Sequence, residues 1–391
     1  DGDIVNITAS TIPAWLTLTS GQGGEVITLG GSHGYQDGPI ADAKFVAPID
    51  AAFDIEGNAY IADTFNHKIR KITPDGTVST FAGSAQGYVD AIGTSAQFSA
   101  PWALDVDAAG NVYVADQNNH MIRKITPDGT VSTLAVGGSG SYTHTSGVTV
   151  SPSGIVYFSA GNNIYKINTN GEVTTFAGSG NAAFNDGLGT SAQFRYPQRM
   201  DTDGDGNIYV ADQGNNRIRK ITPQGQVTTY AGSGAAGYLD GPALTAQFRN
   251  AGGLVRDPAG NIFVADQGNH RIRKIAADGT VTTVAGNGNQ GTTDGDALSA
   301  SIFQGYGIGI SPLGELYFPD YNNHLIRKLT VGGTALIGNP AGHAGTHTVT
   351  LEGDDGFGGT AQQTFDITVN DTTIPVLTLT GSNPQIIEAG S

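Results

Sequence analysis

The sequence predicts an all-β protein in which a six-bladed β-propeller interrupts a smaller β-sandwich. A unit that contains four short strands recurs six times between residues 24 and 330. The stretches before and after this unit show alternating strands that are unrelated to it. With 58 glycines among 391 residues and only 14% charged residues, the composition favours tight turns between strands over long surface helices.

The recurring unit is clearest in the copy GNIYVADQGNNRIRKITPQGQVTTYAG at 206–232. Its predicted strands span about 199–203, 207–212, 217–222 and 226–231, with Gly, Asn, Asp and Pro turns between them. Five copies carry a marker aspartate, namely Asp63, Asp116, Asp212, Asp266 and Asp320. A shorter copy without this aspartate occupies 154–178, and four strands per copy are typical of a propeller blade.

These copies resemble NHL repeats, a β-propeller family, over about three quarters of the chain. The last copy stops at IRKLT (326–330) and lacks the fourth strand that the other copies have. The orphan segment GEVITLGG (24–31) has the pattern of that missing strand, so we expect it to complete blade six. Such closure removes exposed sheet edges, and it gives a propeller over residues 23–331.

The flanking segments predict a second domain that the propeller divides in sequence. PAWLTL on one side, with AGTHTVTL and DGFGGTAQQTFDITV on the other, resembles a dystroglycan-type cadherin-like module of bacterial surface proteins. The resemblance implies an immunoglobulin-like sandwich, split between 1–22 and 332–372, with Trp15 in its core. The strand at 12–18 should then pair with 334–338. Residues 373–391 are expected to begin a further immunoglobulin-like module.

The charged residues of the repeat are predicted to hold the scaffold together. We expect each marker aspartate to pair with the arginine seven residues on, for example Asp212 with Arg219, through a bidentate bond. The aspartate-free copy has Ala160 and Tyr165 at these positions, so both partners are lost together. The loops of the GYxDG…AQF type, for example 237–248, should pack between blades through their Tyr and Phe.

A ligand site is expected where the copies differ, at the start of the innermost strands around the central channel. The candidate residues are Trp102, Gln198, Arg199, Tyr306 and Asp50. Aromatic platforms with a few polar groups suit a sugar or an extended peptide end, so we expect a glycan or peptide of a host or neighbouring cell as partner. The alternative is that Trp102 and Tyr306 only plug the channel.

Two groups of acidic residues are candidate calcium ligands. The stretch DTDGDGNIYVAD places Asp201, Asp203 and Asp205 at the first, third and fifth positions of an EF-hand-like loop, although an acidic turn between strands is the alternative. The cadherin-like resemblance implies structural calcium at the joints between modules, and the candidate ligands there are Asp1, Asp3, Asp355 and Asp371. These acidic residues could instead be solvated turn residues.

Charge and composition narrow the classes of function. A formal net charge of −16 argues against nucleic-acid binding, no apolar run is long enough to insert in a membrane, and there are no cysteines. We therefore predict the ligand-binding part of a bacterial adhesin, extracellular at the cell surface, next to flanking immunoglobulin-like modules of the same chain. The chain is expected to be a fragment of a longer protein.

Two other functions stay open at the level of the sequence. One is a metal-dependent propeller hydrolase or lyase, which the resemblance allows because some propellers of this type carry an axial metal. Four of the eight histidines recur at one repeat position, so no histidine triad is expected to converge: His67, His120, His270 and His324. We therefore predict no enzyme activity, and the remaining alternative is a structural spacer without a ligand.

Overall fold

The chain forms two compact units built from β-strands. The computed structural model describes residues 6–11, 13, 16–19, 24–136, 144–303, 305–330, 335–338, 345–354, 360–370 and 376–380. One unit comprises Asp1–Gly24 and Gly332–Ser391, and the other comprises Glu25–Val331. Helical structure in the described residues is limited to 3-10 turns at Thr64–Asn66, Gly93–Ser95, Gln117–Asn119, Gly189–Ser191, Gln213–Asn215, Gln267–Asn269 and Tyr321–Asn323.

The larger unit is a six-bladed β-propeller, as the sequence predicts. Blade one consists of Pro48–Phe53, Ala59–Asp63, Lys68–Ile72 and Thr77–Ala82, and blade two of Pro101–Val106, Val112–Asp116, Met121–Ile125 and Val131–Val136. Blade three consists of Thr145–Val150, Val156–Ala160, Asn163–Ile167 and Val173–Ala177. Blade four consists of Pro197–Thr202, Ile208–Asp212, Arg217–Ile221 and Gln226–Ala231, and blade five of Ala251–Arg256, Ile262–Asp266, Arg271–Ile275 and Thr280–Ala285.

Blade six closes the ring with a strand from the start of the propeller sequence. Its three inner strands are Gly309–Ile310, Leu316–Asp320 and Leu325–Thr330. The outer strand is Glu25–Gly30, which pairs antiparallel with Leu325–Thr330. The predicted closure of blade six by the orphan segment is therefore confirmed.

Short two-residue strands extend four of the blades at the outer edge. They pair with the outer strands of blades one, four, five and six, respectively: Gly38–Pro39, Gly187–Leu188, Gly241–Pro242 and Gly295–Asp296. In blade two, a bridge between Ile92 and Thr130 takes the same place. Each short strand covers part of an edge that would otherwise expose unpaired backbone groups.

Position within the blade explains the hydrophobic pattern of each strand. The second strand, for example Ile208–Asp212, is buried along its whole length because neighbouring blades cover both of its faces. The outer strand Gln226–Ala231 instead alternates, with Val227 buried between exposed neighbours. A glycine must follow each outer strand: Gly83 has φ +99°, and a Cβ there would lie 2.5 Å from the carbonyl oxygen of His67.

Neighbouring blades are linked by the recurring histidines. The backbone N–H of Ala100 donates to Nδ1 of His67 at 3.2 Å, and that of Ala47 donates to Nδ1 of His324 at 2.9 Å. His67 and His324 adopt left-handed backbone conformations at the ends of their 3-10 turns. His120 accepts the backbone N–H of His144 in the same way at 3.1 Å, whereas Nδ1 of His270 has no partner among the described residues. Three of the four recurring histidines thus satisfy a backbone donor of the next blade, which supports their predicted scaffold role.

The smaller unit contains two sheets in its described residues. One is four-stranded, in the order Asn6–Thr11, Gly345–Asp354, Thr360–Asn370 and Val376–Thr380. The other pairs Leu16–Thr19 with Ala335–Gly338, which is the pairing expected between 12–18 and 334–338. Residue 15, which the sequence places in the core of this unit, lies outside the described residues. The assignment of 373–391 to a further module stays a prediction, and the structure pairs Val376–Thr380 with Thr360–Asn370.

Candidate functional site

A buried ion pair occupies the same place in five blades. The arginine Nη1 lies 2.7 to 3.2 Å from the marker aspartate Oδ2, and both side chains are fully buried. The pairs are Asp63–Arg70, Asp116–Arg123, Asp212–Arg219, Asp266–Arg273 and Asp320–Arg327. The predicted partners are therefore confirmed. Each aspartate makes this contact through one oxygen, so the expected bidentate bond is wrong.

Each of these arginines also binds a second aspartate, which the sequence analysis did not single out. In blade four, Arg219 Nη2 lies 2.6 Å from Oδ1 of Asp186, whose side chain is 43% exposed. The equivalent aspartates in the other four blades are Asp37, Asp90, Asp240 and Asp294. Each belongs to the loop that precedes its blade, so the guanidinium ties that loop to the second and third strands.

Blade three replaces the ion pair with an aromatic contact. Tyr165 stands at the arginine position and Ala160 at the aspartate position. The ring of Tyr165 stacks on Phe158, with 5.1 Å between centroids and 19° between planes. The sequence has no aspartate between Asp128 and Asp186, so the loop carboxylate is missing as well. The three charged groups are lost together, which leaves no buried charge unpaired.

The aromatic residues of the loops fall into two classes. Phe98 and Phe248 are fully buried, as predicted for packing between blades. Tyr88 and Tyr238 are about half exposed, at 48% and 46%, so they do not pack between blades as expected. The guanidinium of Arg273 instead lies 5.0 Å from the ring centroid of Tyr238, and such cation–π contacts cover the ion pair from solvent.

A cavity of about 380 Å³ lies at the mouth of the channel where the innermost strands begin. Its walls are formed by Trp102, Gln117, Gln198, Gln213, Asn250, Gln267 and Tyr306. Three of these residues were predicted from the sequence. The walls contain four amide-bearing glutamines, one asparagine and two aromatic rings, and no charged side chain. We call this cavity the amide mouth.

Aromatic rings form one side of the amide mouth. The ring of Trp102 meets that of Tyr306 edge-on at 5.6 Å, and Tyr306 meets Tyr321 at 5.0 Å. Phe65 extends the series, 6.3 Å from Tyr321 and 52% exposed. Trp102 Nε1 is buried and has no hydrogen-bond acceptor among the described residues. The aromatic side of the mouth therefore consists of the partly exposed rings of Trp102 and Tyr306.

Amide groups form the other side of the amide mouth. Gln213 Nε2 donates to Oε1 of Gln267 at 3.2 Å, which fixes these two side chains relative to each other. Within the described part of the chain, the side-chain amides of Gln117, Gln198 and Asn250 make no hydrogen bond to protein. Because each amide has both donors and an acceptor, the mouth can match hydroxyl groups in either hydrogen-bonding role.

Arg199 and Asp50 lie in the lumen and pair with each other across the channel. Arg199 Nε is 2.9 Å from Oδ2 of Asp50, and both side chains are only 4% exposed. Arg199 Nη2 donates to the carbonyl oxygens of Ile49 at 3.0 Å and Trp102 at 2.6 Å. A Cβ at Gly307 would lie 2.1 Å from Asp50 Oδ1, so glycine is needed there for this pair to fit. The five predicted residues thus divide into three at the mouth and a pair that spans the lumen.

Sequence reasoning missed most of the amide side. Gln117, Gln213 and Gln267 each directly follow a marker aspartate, and recurring positions were interpreted as scaffold. In a ring, however, equivalent positions next to the innermost strands converge on one axis. The signal that could have found them is the change at this position to Thr64 and Tyr321 in blades one and six.

The structure does not assemble Asp201, Asp203 and Asp205 into a calcium loop. Asp203 accepts the backbone N–H of Asn207 through Oδ1 at 2.8 Å and its side-chain amide through Oδ2 at 2.8 Å. Asp54 and Asn58 form the same turn in blade one, at 2.8 and 2.7 Å. Asp201 lines the lumen and Asp205 is exposed. The described residues hold no group of three or more His, Cys, Asp or Glu that could bind a metal, which favours the turn alternative.

The remaining predicted calcium ligands fall outside the described residues. They are Asp1, Asp3, Asp355 and Asp371. No helix in the described residues is long and apolar enough to cross a membrane.

Two further carboxylates, Asp105 and Asp201, lie in the lumen. Asp105 Oδ2 accepts the backbone N–H of Val150 at 2.7 Å, and Asp201 Oδ2 accepts that of Arg256 at 2.6 Å. Each carboxylate therefore links its blade to the next. Burial and then the neighbouring Asp201 charge raise the pKa of Asp105 to about 7, and burial raises the pKa of Asp201 to about 6.

Known proteins support the repeat and the architecture. The NHL repeat family model matches residues 194–221 and 248–275. Protein SUPPRESSOR OF QUENCHING 1, chloroplastic, of Arabidopsis thaliana is 29% identical over 277 residues, which span 63% of this chain and 26% of the relative. The chain thus spans about a quarter of the length of that curated relative. In the two matched stretches, 194–221 and 248–275, this chain carries NHL repeats.

Two solved structures illustrate the fold. An auxiliary nutrient binding protein from Bacteroides thetaiotaomicron VPI-5482 is 20% identical with a TM-score of 0.62, covering 79% of this chain and 76% of that one. A streptogramin B lyase structure is 14% identical with a TM-score of 0.53, covering 80% of this chain and 99% of that one. At these identities the likeness shows the fold alone.

Proposed function

Because this chain carries NHL repeats on a six-bladed propeller, we propose that it is a binding module whose amide mouth takes a neutral carbohydrate. One observation carries the proposal: the mouth combines uncommitted amides with partly exposed aromatic rings and has no charged wall. Sugar hydroxyl groups need partners that both donate and accept, and the apolar faces of sugar rings pack on aromatic side chains. A peptide terminus, in contrast, would leave its charge without a counter-charge at the mouth.

A binding role is compatible with the fold. The auxiliary nutrient binding protein from Bacteroides thetaiotaomicron has the same fold. A neutral glycan is also compatible with the net charge of −16, because its recognition does not require long-range electrostatic attraction. We propose a glycan of a host or neighbouring cell as the biological partner.

Glycan and peptide arrays, probed with the whole chain and with matched variants, test the proposal. Trp102→Ala and Gln198→Ala should each reduce binding to the glycan hit by roughly tenfold or more, because each removes contacts in the mouth. Trp102→Phe should retain part of the binding, and Gln224→Ala, in an exposed turn, should retain all of it.

Three results would contradict the carbohydrate proposal. A hit confined to the peptide array would favour a peptide ligand, and no hit on either array would favour a structural spacer. Glycan binding that is unchanged in both the Trp102→Ala and the Gln198→Ala variants would place the binding surface elsewhere. Thermal unfolding of each variant is the control, because Trp102 also packs against the hydrophobic core.

The wider setting that we propose is a secreted or surface-anchored bacterial adhesin. In this setting the smaller unit is a cadherin-like, immunoglobulin-like module, and the propeller presents its binding face from a rod of such modules. Structural calcium, held by Asp1, Asp3, Asp355 or Asp371, would stiffen that rod. Thermal unfolding with calcium and with a chelator tests this: an unchanged melting curve of the smaller unit would contradict it.

A metal-dependent hydrolase or lyase is the second candidate function. The propeller of the streptogramin B lyase shares the fold, and Asp105 and Asp201 supply carboxylates in the lumen. No described group of three ligands supports a metal there, so the binding module is favoured. Turnover of lactone or ester substrates that depends on added divalent metal and is lost in Asp105→Asn would favour the enzyme.

A further inference from the structure

The channel contains a second cavity that the amide mouth does not use. It encloses about 220 Å³ between the Arg199–Asp50 pair and the opposite end of the innermost strands. At that end the cavity adjoins a recess of about 630 Å³. The two cavities share four lining residues, namely Phe53, Asp201, Arg256 and Ile310. We call the smaller cavity the lumen site and the recess the far mouth.

One guanidinium group in the lumen site has unused hydrogen-bonding capacity. Arg199 is 4% exposed, and its Nη1 is buried with no hydrogen-bond partner among the described residues. Arg256 also lines the cavity, but its guanidinium lies beside the turn that follows its strand, where a Cβ at Gly260 would be 3.2 Å from Nη2. A buried cation with an unmatched donor is costly, so a ligand acceptor at this place would be stabilising.

Two carboxylates in the same cavity also lack a cationic partner. Asp105 accepts hydrogen bonds from the Thr149 hydroxyl and from backbone N–H groups, and Asp201 accepts backbone N–H groups only. Neither forms an ion pair with a described lysine, arginine or histidine. Beside the Arg199–Asp50 pair, the cavity therefore holds a guanidinium donor without an acceptor and two carboxylates without a cationic partner.

The far mouth adds apolar surface above these charges. Ile55 and Leu313 stand at its rim with 76% and 87% of their surfaces exposed. Phe53, Val106 and Ile310 line its interior. A ligand whose charged end reaches the lumen site could place an apolar group against this wall, which would remove apolar area from water.

We propose that the lumen site, entered from the far mouth, binds a small zwitterion that carries a carboxylate and an ammonium group next to an apolar side chain. The carboxylate is held by Arg199 Nη1, and the ammonium group by Asp105 and Asp201. The apolar side chain packs against the far mouth. An α-amino acid such as leucine has this chemistry.

The charges facing the ligand predict a pH dependence. The groups that line the lumen site are Asp50, Asp105, Asp201, Arg199 and Arg256. Asp50 is paired with Arg199, while the pKa of Asp105 is raised to about 7 and that of Asp201 to about 6. Lowering the pH from 8 to 5 protonates both carboxylates, so the ammonium group loses its partners and binding weakens.

Isothermal titration calorimetry of the whole chain with L-leucine, N-acetyl-L-leucine and L-leucinamide tests the proposal. L-leucine should bind, and each analogue, which lacks one charge, should bind roughly tenfold or more weakly. Asp105→Asn and Asp201→Asn should weaken the binding of L-leucine to a similar degree. The matched control is Asp205→Asn, at an exposed position outside the lumen site, which should bind as the unmodified chain does.

Clear results would overturn the proposal. No heat with L-leucine, equal binding of N-acetyl-L-leucine, or unchanged binding in a folded Asp201→Asn variant would each contradict it. Trp102→Ala should bind L-leucine normally, because Trp102 lines the amide mouth only. Loss of glycan binding with L-leucine binding intact, or the reverse, therefore separates this proposal from the proposed function.

Discussion

The buried arginines show how single residues carry the stability of a blade. Arg219 binds Asp212 in its own blade, Asp186 in the preceding loop, and the carbonyl oxygens of Asn185 and Gln193. All of these groups are removed from bulk water or partly so, and Nη1 and Nη2 of Arg219 each have two partners, whereas its Nε has none among the described residues. Loss of Arg219 therefore leaves Asp212 buried without its cationic partner.

Substitution of one or both partners tests this account of the ion pair. Arg219→Tyr should lower the free energy of unfolding by about 3–5 kcal/mol, because Asp212 is left buried and unpaired. Asp212→Ala combined with Arg219→Tyr removes both members of the buried pair, as in blade three, and should cost less than the sum of the single changes. Denaturant unfolding measures both; strict additivity would contradict the coupling.

Asp105 makes stability depend on pH. Its pKa is about 7 in the folded chain, against about 3.9 for an aspartate in an unfolded chain. The folded chain thus binds this proton more tightly, so its contribution to stability is full below about pH 4 and is lost as the pH rises through 7.

Asp105→Asn should remove this dependence. The melting temperature of the variant, relative to the unmodified chain, should be higher at pH 8 than at pH 4. Asp42→Asn, on an exposed loop, is the control and should show no such difference. A variant whose relative melting temperature does not change between pH 4 and pH 8 would contradict the raised pKa of Asp105 in the folded chain.

Among the elements, the outer strand of blade six is the one that closes the ring. Glu25–Gly30 joins Leu325–Thr330 across about three hundred residues of sequence, and Val26 is fully buried in the core beneath it. The strand could be predicted because the last repeat lacks a segment that the others have. Its neighbour Gly295–Asp296 could not, since two residues carry no periodic pattern.

Matched core substitutions test whether this strand is an integral part of the propeller. Val26→Ala should lower the free energy of unfolding of the propeller by roughly 2 kcal/mol, as should Val227→Ala at the equivalent position of blade four. Thermal or denaturant unfolding gives both values. If Val26→Ala cost nothing while Val227→Ala was destabilising, Glu25–Gly30 would not be part of the cooperative fold.

For the whole molecule, the central feature is a channel divided by one ion pair. The Arg199–Asp50 pair crosses the lumen and separates the amide mouth from the lumen site, so the two ends of the channel can hold different ligands. The sequence predicted that these residues approach the axis. It could not show that Arg199 and Asp50 form an ion pair with each other, because contact across the ring depends on the small residues between them, such as Gly307.

The composition of the candidate site was only partly predictable for a related reason. Variation between repeats identified Trp102, Gln198 and Tyr306, which differ from their counterparts. The glutamines after the marker aspartates resemble one another, and only the closed ring shows that similar residues from several blades meet at one place. Circular symmetry therefore turns a recurring position into a shared surface.

The crystal structure of the chain with the oligosaccharide identified on the array is the most direct test of the central claim. The account predicts a sugar ring in the amide mouth, packed against Trp102 or Tyr306, with hydroxyl groups bonded to Gln117, Gln198 or Asn250. A sugar bound on another surface of the propeller, with the amide mouth filled only by water, would contradict it.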